Sequence, residues 1–346
     1  MRNVSVVIPN WNGADLLARN LPAALAAAHA HPGEGEVIVV DDGSTDGSRD
    51  VVKSHAGVRL VEHERNRGFG AACLTGATSA RHELVFLLNS DARPDPGALG
   101  PLANAFDAPE VFAASPLVLD QEGGLAEVTI NVPYLRRGRI RYRRRSVESL
   151  SALAAARLSP WYTFFPLGGA VVVDRARFLA LGGFDELFHP FYYEDVDLGF
   201  RAWRRGWSCV VVPESRVVHA GGGTIGRAFA ERQVRVIRKR NRLLLHCKNL
   251  TRPGAPALFL VQQTVRAIAR LLRFDPIELL GTLAALPHLP AALARRRIER
   301  ASAVRSESEI LALIEGRWLS NLAKLQNPGA SPCDAERSRS ALRASS

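Results

Sequence analysis

Residues 37–42, Val37-Ile38-Val39-Val40-Asp41-Asp42, run directly into Gly43-Ser44-Thr45-Asp46-Gly47-Ser48, and this junction decides the fold. Four apolar β-branched residues without a polar interruption predict a strand buried on both faces of a parallel sheet. The two carboxylates and the Gly-Ser turn predict that the chain then leaves the sheet and starts a helix. Two more segments share this grammar on either side. Residues 4–9 (VSVVIP) are an apolar run closed by Pro9, and residues 84–89 (LVFLLN) are another closed by Asn89. Between the runs lie alanine-rich stretches at 14–30 and 69–80 with helical character. The β-α-β-α-β order predicts an α/β fold with an open, mainly parallel central sheet flanked by helices. Such sheets bind ligands at the carboxyl ends of their strands. Those ends carry Pro9-Asn10-Trp11-Asn12, Asp41-Asp42-Gly43-Ser44 and Asn89-Ser90-Asp91.

Beyond residue 116 the texture changes. Residues 136–145 hold seven arginines, too polar for a core. The segment reads either as a solvated loop or as a grip on an anionic acceptor, because guanidinium groups bind diphosphates in bidentate fashion. An acidic-led helix is predicted at 194–205, ended by Gly206, and a strand at 209–212. His219 then opens a flexible glycine loop, Gly221-Gly222-Gly223. From about residue 227 the sequence is helical and basic, and its last twenty residues have a disordered composition. The expected division is 1–225, 226–325 and 326–346.

With 47% hydrophobic and 23% charged residues, the 346-residue chain has the balance of a folded globular protein. A net charge of +11 predicts attraction to an anion: nucleoside diphosphate, nucleic acid or acidic lipid. No nucleic-acid-binding motif accompanies the charge and aromatic residues are scarce, which argues against nucleic acid. The four cysteines form no CxxC pair, so neither a disulfide framework nor a zinc site is expected. The N-terminus lacks a secretory pattern. The longest uncharged stretches, 158–173 and 279–294, are short for a bilayer and contain prolines. The expectation is a cytoplasmic protein at the inner face of the membrane.

Four constellations can carry chemistry. Asp41 and Asp42 can hydrogen-bond a base or ribose beside a helix N-terminus; the alternative is a plain strand–turn–helix junction with Asp46 or Ser48 as N-cap. Asp91, at a strand end, suits a divalent cation bridging phosphates. Among Glu194, Asp195 and Asp197, the last is spaced to pair with Arg201 on one helix face, leaving Glu194 and Asp195 free to face a cleft. A carboxylate there can take a proton from an attacking hydroxyl. His219 is a lone histidine, more often structural, but it sits next to a glycine loop.

The ordered set VSVVIPNWNG, VIVVDDGSTDGS, NRGFGAA, LVFLLNSDARPDP, LGGAVVVDRARFLALGGFDE and FYYEDVDLGFRAWRRGW resembles the family 2 glycosyltransferases, which have the GT-A fold. The likeness runs from Val4 to His219. It is greatest to bacterial members that build rhamnose- or galactose-containing polysaccharides and cell-wall glycolipids. It implies a donor site of Pro9, Trp11, Asp41, Asp42, Asn66, Gly68, Asn89, Ser90 and Asp91 for a UDP- or dTDP-sugar. It implies Mg²⁺ or Mn²⁺ at Asp91 and His219, with Asn89 replacing the first acid of the family's DXD motif. Asp195 is the implied base, Glu194 its neighbour, and Gly168 and Gly169 an acceptor shelf for a glycan or polyprenyl-linked glycan. The processive QxxRW motif is absent, so the implied enzyme adds one or a few sugars. A nucleotide-sugar-binding subunit without activity is the alternative. In the tail, Leu258, Val261, Val265, Ile268 and Leu272 recur at helical spacing beside Arg266, Arg270 and Arg273. That pattern fits an anionic membrane surface or packing onto the protein's own core.

Overall fold

The computed structural model describes residues 1–124, 131–136, 139–143, 161–219, 226, 229–250 and 254–326. The glycine loop at 221–223 and the C-terminal tail beyond 326 lie outside the described residues.

The first half is built as its apolar runs dictate. Strands β1 (Val4–Asn10), β2 (Gly35–Asp41), β3 (Val58–Glu62) and β4 (Leu84–Leu88) are parallel in the order β3-β2-β1-β4. Helices α1 (Ala14–Ala30), α2 (Ser48–Lys53) and α3 (Phe69–Ser79) cross between them. β1 and β4 are buried along their whole length, as runs without alternation require. Each fully buried valine or leucine contributes about 1.5–3 kcal/mol to folding.

The second half mixes directions. After β5 (Ala92–Pro94) and α4 (Leu99–Asn104), β6 (Val111–Leu119) enters the sheet. A separate hairpin, β7 (Val132–Arg136) and β8 (Arg139–Arg143), follows. β9 (Trp161–Tyr162) and β10 (Ala170–Asp174) come next; β10 runs antiparallel to both β4 and β6. Helices α5 (Arg175–Ala180) and α6 (Glu194–Arg204) precede the long strand β11 (Ser208–His219). The arginine-rich segment is thus not only a loop. In Arg139-Ile140-Arg141-Tyr142-Arg143 the alternation puts Ile140 inward, and Tyr142 packs on Phe164 and Phe165. His219 is corrected too: it ends β11, paired with Ala92, because the strand continues past an irregularity between Val212 and Arg216.

Among the described residues five longer helices follow: α7 (Glu231–Asn249), α8 (Ala255–Leu271), α9 (Ile277–Ala285), α10 (Leu289–Ala301) and α11 (Glu307–Gln326). α9 and α10 pack on α7, and α11 lies against β7 and β9. Pro287 and Pro290 fall in a short 3₁₀ turn and at the start of α10, where a missing N–H matters least. Residues Ile277–Ala301 therefore form one helical run, long and apolar enough to cross a membrane by length and composition alone. The prolines had hidden that continuity in the sequence.

Candidate active site

At the carboxyl ends of β1 and β2, two loops are sewn together. The Asn12 amide donates to Ser44 Oγ at 2.9 Å, and the Thr45 amide donates to Asn12 Oδ1 at 2.8 Å. Asp41 accepts from the Ser44 amide and from Arg49 Nε, at 3.2 and 2.9 Å. Asp42 accepts from the Arg67 and Gly68 amides, both at 2.8 Å, while His63 Nδ1 lies 2.7 Å from its Oδ1. Both acids are buried, as is Pro9. The acids expected to line a donor pocket instead face inward and hold the loops that form its rim. Trp11, half-buried, and Asn66, exposed, are the expected donor residues that meet solvent there. Gly68 has φ +93°, and a Cβ would lie 2.7 Å from His189 Nδ1, so glycine alone fits this loop.

A second corner joins β4, β10 and β11. The Asn89 amide donates to the Gly169 carbonyl at 2.9 Å. Asp91 Oδ1 lies 3.0 Å from His219 Nε2. Although that is contact distance, neither buried atom has a partner with hydrogen-bond geometry among the described residues. A carboxylate oxygen and an imidazole nitrogen so placed, 3.0 Å apart, are a donor set that would fit a divalent cation. Among the described residues no cluster of three or more His, Cys, Asp or Glu side chains offers a metal cage.

The third group is placed by α6. Gly199 lets this helix lie close, since a Cβ there would stand 2.5 Å from the Phe164 carbonyl oxygen. Its N-terminus consequently meets the start of β10. The Gly168 amide donates to Asp195. A Cβ on Gly168 would be 3.4 Å from Asp195 Cβ, and one on Gly169 3.4 Å from His219 Nε2. Gly168-Gly169 therefore spans the gap between Asp195 and the Asp91–His219 corner. In sequence Asp91 lies 77 positions before Gly168 and 104 before Asp195; the sheet brings them together.

Asp195 and Asp197, two positions apart, titrate in opposite directions. Burial raises Asp195 to about 6, and burial plus the charge of Asp195 raises Glu194 to about 8. Asp197 is buried too, yet Lys248 and Arg201 lower it to about 2. Lys248 Nζ is 2.7 Å from Asp197 Oδ1 and 2.6 Å from Asp185 Oδ2. The predicted Asp197–Arg201 pair is present at 2.7 Å. Asn249 Nδ2 also donates to Asp197 at 2.8 Å.

Ahead of the two acids, Tyr192 and Tyr193 both have positive φ, 70° and 77°, a strained arrangement for aromatic residues. Asn241 of α7, fully buried, secures it. Its Nδ2 donates to the carbonyls of Phe188, Phe191 and Tyr192 at 2.7, 2.9 and 3.0 Å. Neither Asn241 nor Lys248 carries any signal in the sequence. Tyr142, whose ring adjoins this region, was legible only in the period-two pattern of β8. A separate cavity of about 320 Å³, lined in part by Leu74, Asp185, Arg201, Lys248 and Arg295, lies behind α6; none of the expected site residues lines it.

Residues 5–155 match the model of glycosyl transferase family 2, and residues 84–291 that of glycosyl transferase family group 2. The chain belongs to glycosyl transferase family group 2. This glycosyltransferase is 29% identical over 235 residues to N-acetylglucosaminyl-diphospho-decaprenol L-rhamnosyltransferase of Mycobacterium tuberculosis, which covers 59% of this chain and 72% of that protein. Among solved structures it resembles S. aureus TarS 1-349 in complex with UDP-GlcNAc, at 17% identity, TM-score 0.53 and 92% coverage of both chains. It also resembles GalNAc-T7 with UDP, GalNAc and Mn²⁺, at 17% identity and TM-score 0.53, over 74% of this chain and 51% of that one. Those two likenesses establish the fold, that of the GT-A glycosyltransferases.

Proposed function

We propose that this glycosyltransferase moves one sugar from a nucleoside-diphosphate donor, a UDP- or dTDP-sugar, to a hydroxyl of a glycan or polyprenyl-diphosphate-linked glycan, with inversion at the anomeric carbon. The observation that carries the reading is the Gly168-Gly169 bridge, which joins a buried acid on α6 to the orphaned Asp91–His219 pair at the strand ends. In this reading Trp11 and Asn66 contact the nucleoside, and Asp41, Asp42 and Gly68 keep their loops in shape. Asn89 and Ser90 face the diphosphate. Asp91 and His219 hold Mg²⁺ or Mn²⁺, which when bound supplies positive charge against the departing nucleoside diphosphate. Asp195 accepts the proton of the acceptor hydroxyl as that oxygen attacks the anomeric carbon from the face opposite the leaving group. Its raised pKa makes it a stronger base than a surface aspartate while leaving it ionised at neutral pH. Glu194, raised further, stays protonated at that pH and can donate a hydrogen bond to the acceptor. The lipid-linked acceptor is supported by the mycobacterial relative, whose name specifies a decaprenyl diphosphate glycan.

Asp195→Asn tests the reading. Sugar transfer from a panel of nucleotide sugars should fall ~10²–10⁴-fold, the usual weight of a general base, while donor binding persists. Near-normal transfer by this variant would refute the assignment. Gel shifts with nucleic acid, if strong where transfer is absent, would favour the reading set aside above.

A further inference from the structure

The α8 helix presents its apolar stripe to solvent. Leu258, Val261, Val265 and Ile268 each expose more than half of their surface, and Leu272 exposes 78%. The stripe extends roughly 20 Å at 1.5 Å per residue. The opposite face, through Phe259, stacks on His246 of α7, so the helix is anchored and its orientation is set. At the turn into α9 stands Phe274, 96% exposed and with φ +58°. Glycine is the usual residue at such a left-handed helix end. A bulky aromatic held there, pointing away from the protein, places an apolar ring at the tip of the helical hairpin.

Arginines border this surface. Arg266 lies among the like charges of Arg242, Arg141 and Arg270, with Glu278 as an acidic neighbour. Arg270, more than half exposed, pairs with Asp275 at 3.7 Å. Arg273 precedes Phe274 in the turn. A second copy of the chain docked through the same faces would bring these cations toward one another. An anionic bilayer offers the complement on both counts, apolar interior for the stripe and phosphate for the rim.

We propose that the exposed face of α8, with Phe274 at its end, is a docking surface for an anionic lipid bilayer. The apolar side chains enter the boundary between headgroups and acyl chains, and Arg266, Arg270 and Arg273 contact lipid phosphates. Arg141 on the β7–β8 hairpin lies in the same positive cluster. Tyr142, the next residue in the chain, packs on Phe164 and Phe165 near the segment that carries the catalytic acids. Docking would consequently bring that side of the enzyme toward the membrane surface.

The test uses the full chain in sedimentation with phosphatidylglycerol-containing vesicles, against vesicles of phosphatidylcholine alone. Wild type should sediment with the anionic vesicles at low ionic strength, and less as salt rises. Val265→Asp with Phe274→Ser should weaken binding by roughly tenfold or more, from the lost apolar transfer. Arg270→Ser with Arg273→Ser should reduce the preference for anionic lipid. Transfer to a water-soluble acceptor without vesicles should be unchanged in both variants, which separates this proposal from the catalytic one. The absence of sedimentation at low salt would overturn the proposal, as would binding that ignores the Val265/Phe274 change. A wild-type dimer in gel filtration that this same change dissociates, without vesicle binding, would assign the face to a second copy instead.

Discussion

Helices α7 and α8 are neighbours, both are basic and amphipathic in sequence, and they treat their side chains in opposite ways. The second half of α7 is buried on every side and takes polar groups with it: Asn241, Lys248 and Asn249 have at most 1% of their surface exposed. α8 leaves five large apolar residues in water. Burial of a polar group costs free energy unless it is matched, so the three α7 side chains identify where the catalytic segment needs fixed partners. Exposure of an apolar stripe indicates instead a surface made for another phase. The helical extension is thus two devices: α7 holds the segment that carries Glu194 and Asp195 from behind, and α8 faces outward.

The contrast can be broken first at Lys248. Lys248→Met removes the cation shared by Asp185 and Asp197, leaving only Arg295 beside the first and Arg201 beside the second, and breaking a buried pair in this way costs up to about 3–5 kcal/mol. Chemical unfolding should show that loss, and a cost below about 1 kcal/mol would mean that α7 only covers the site. Asn241→Ala comes next. With three carbonyls released, the strained Tyr192–Tyr193 backbone can relax and displace Asp195, so kcat should fall on the order of 10²-fold, with donor KM little changed. A purely structural role would lower Tm and leave the kcat of the folded fraction intact. Val265→Asp on α8, by contrast, should leave solution turnover unaltered.

The pH dependence sharpens the same comparison with the smallest effect. Because Asp195 must be ionised to accept a proton, kcat should fall about tenfold per pH unit below about 6. The stability consequences run in opposite directions for the two aspartates. The raised pKa of Asp195 makes its contribution to stability greatest below the unfolded value of about 4, and that contribution is lost as pH rises through about 6. The lowered pKa of Asp197 contributes stability above about 4, lost as pH falls through about 2. Asp195→Asn should therefore remove turnover without lowering Tm at neutral pH, whereas Asp197→Asn should lower it.

Much of the first half is legible because its information is local. The 37–42 run and its companions at 4–9 and 84–89 have no solvent face, and the polar residues that follow mark strand ends. The Asp197–Arg201 pair was readable for the same reason, as neighbours one helical turn apart. Where the sequence misled, the cause was nearby polarity or proline. The arginines of β8 obscured the inward alternation of Ile140 and Tyr142, Pro213 and Glu214 obscured the continuation of β11 to His219, and Pro287 and Pro290 obscured the helical run at 277–301.

The sequence alone determined the parallel start of the sheet, the family and the acids to suspect, since each depends on residue type at short spacing. Only the tertiary structure decided that Asp41 and Asp42 hold loops, that Gly168-Gly169 connects Asp195 to the Asp91–His219 corner, and that Asn241 supports the strained segment before the acids. Those relations reach from Asp42–Gly68, 26 positions apart, through Asn241–Phe188, 53 apart, to Asp91–His219, 128 apart. No local pattern encodes them, because they exist only after burial has brought distant backbone amides and side chains within hydrogen-bonding reach.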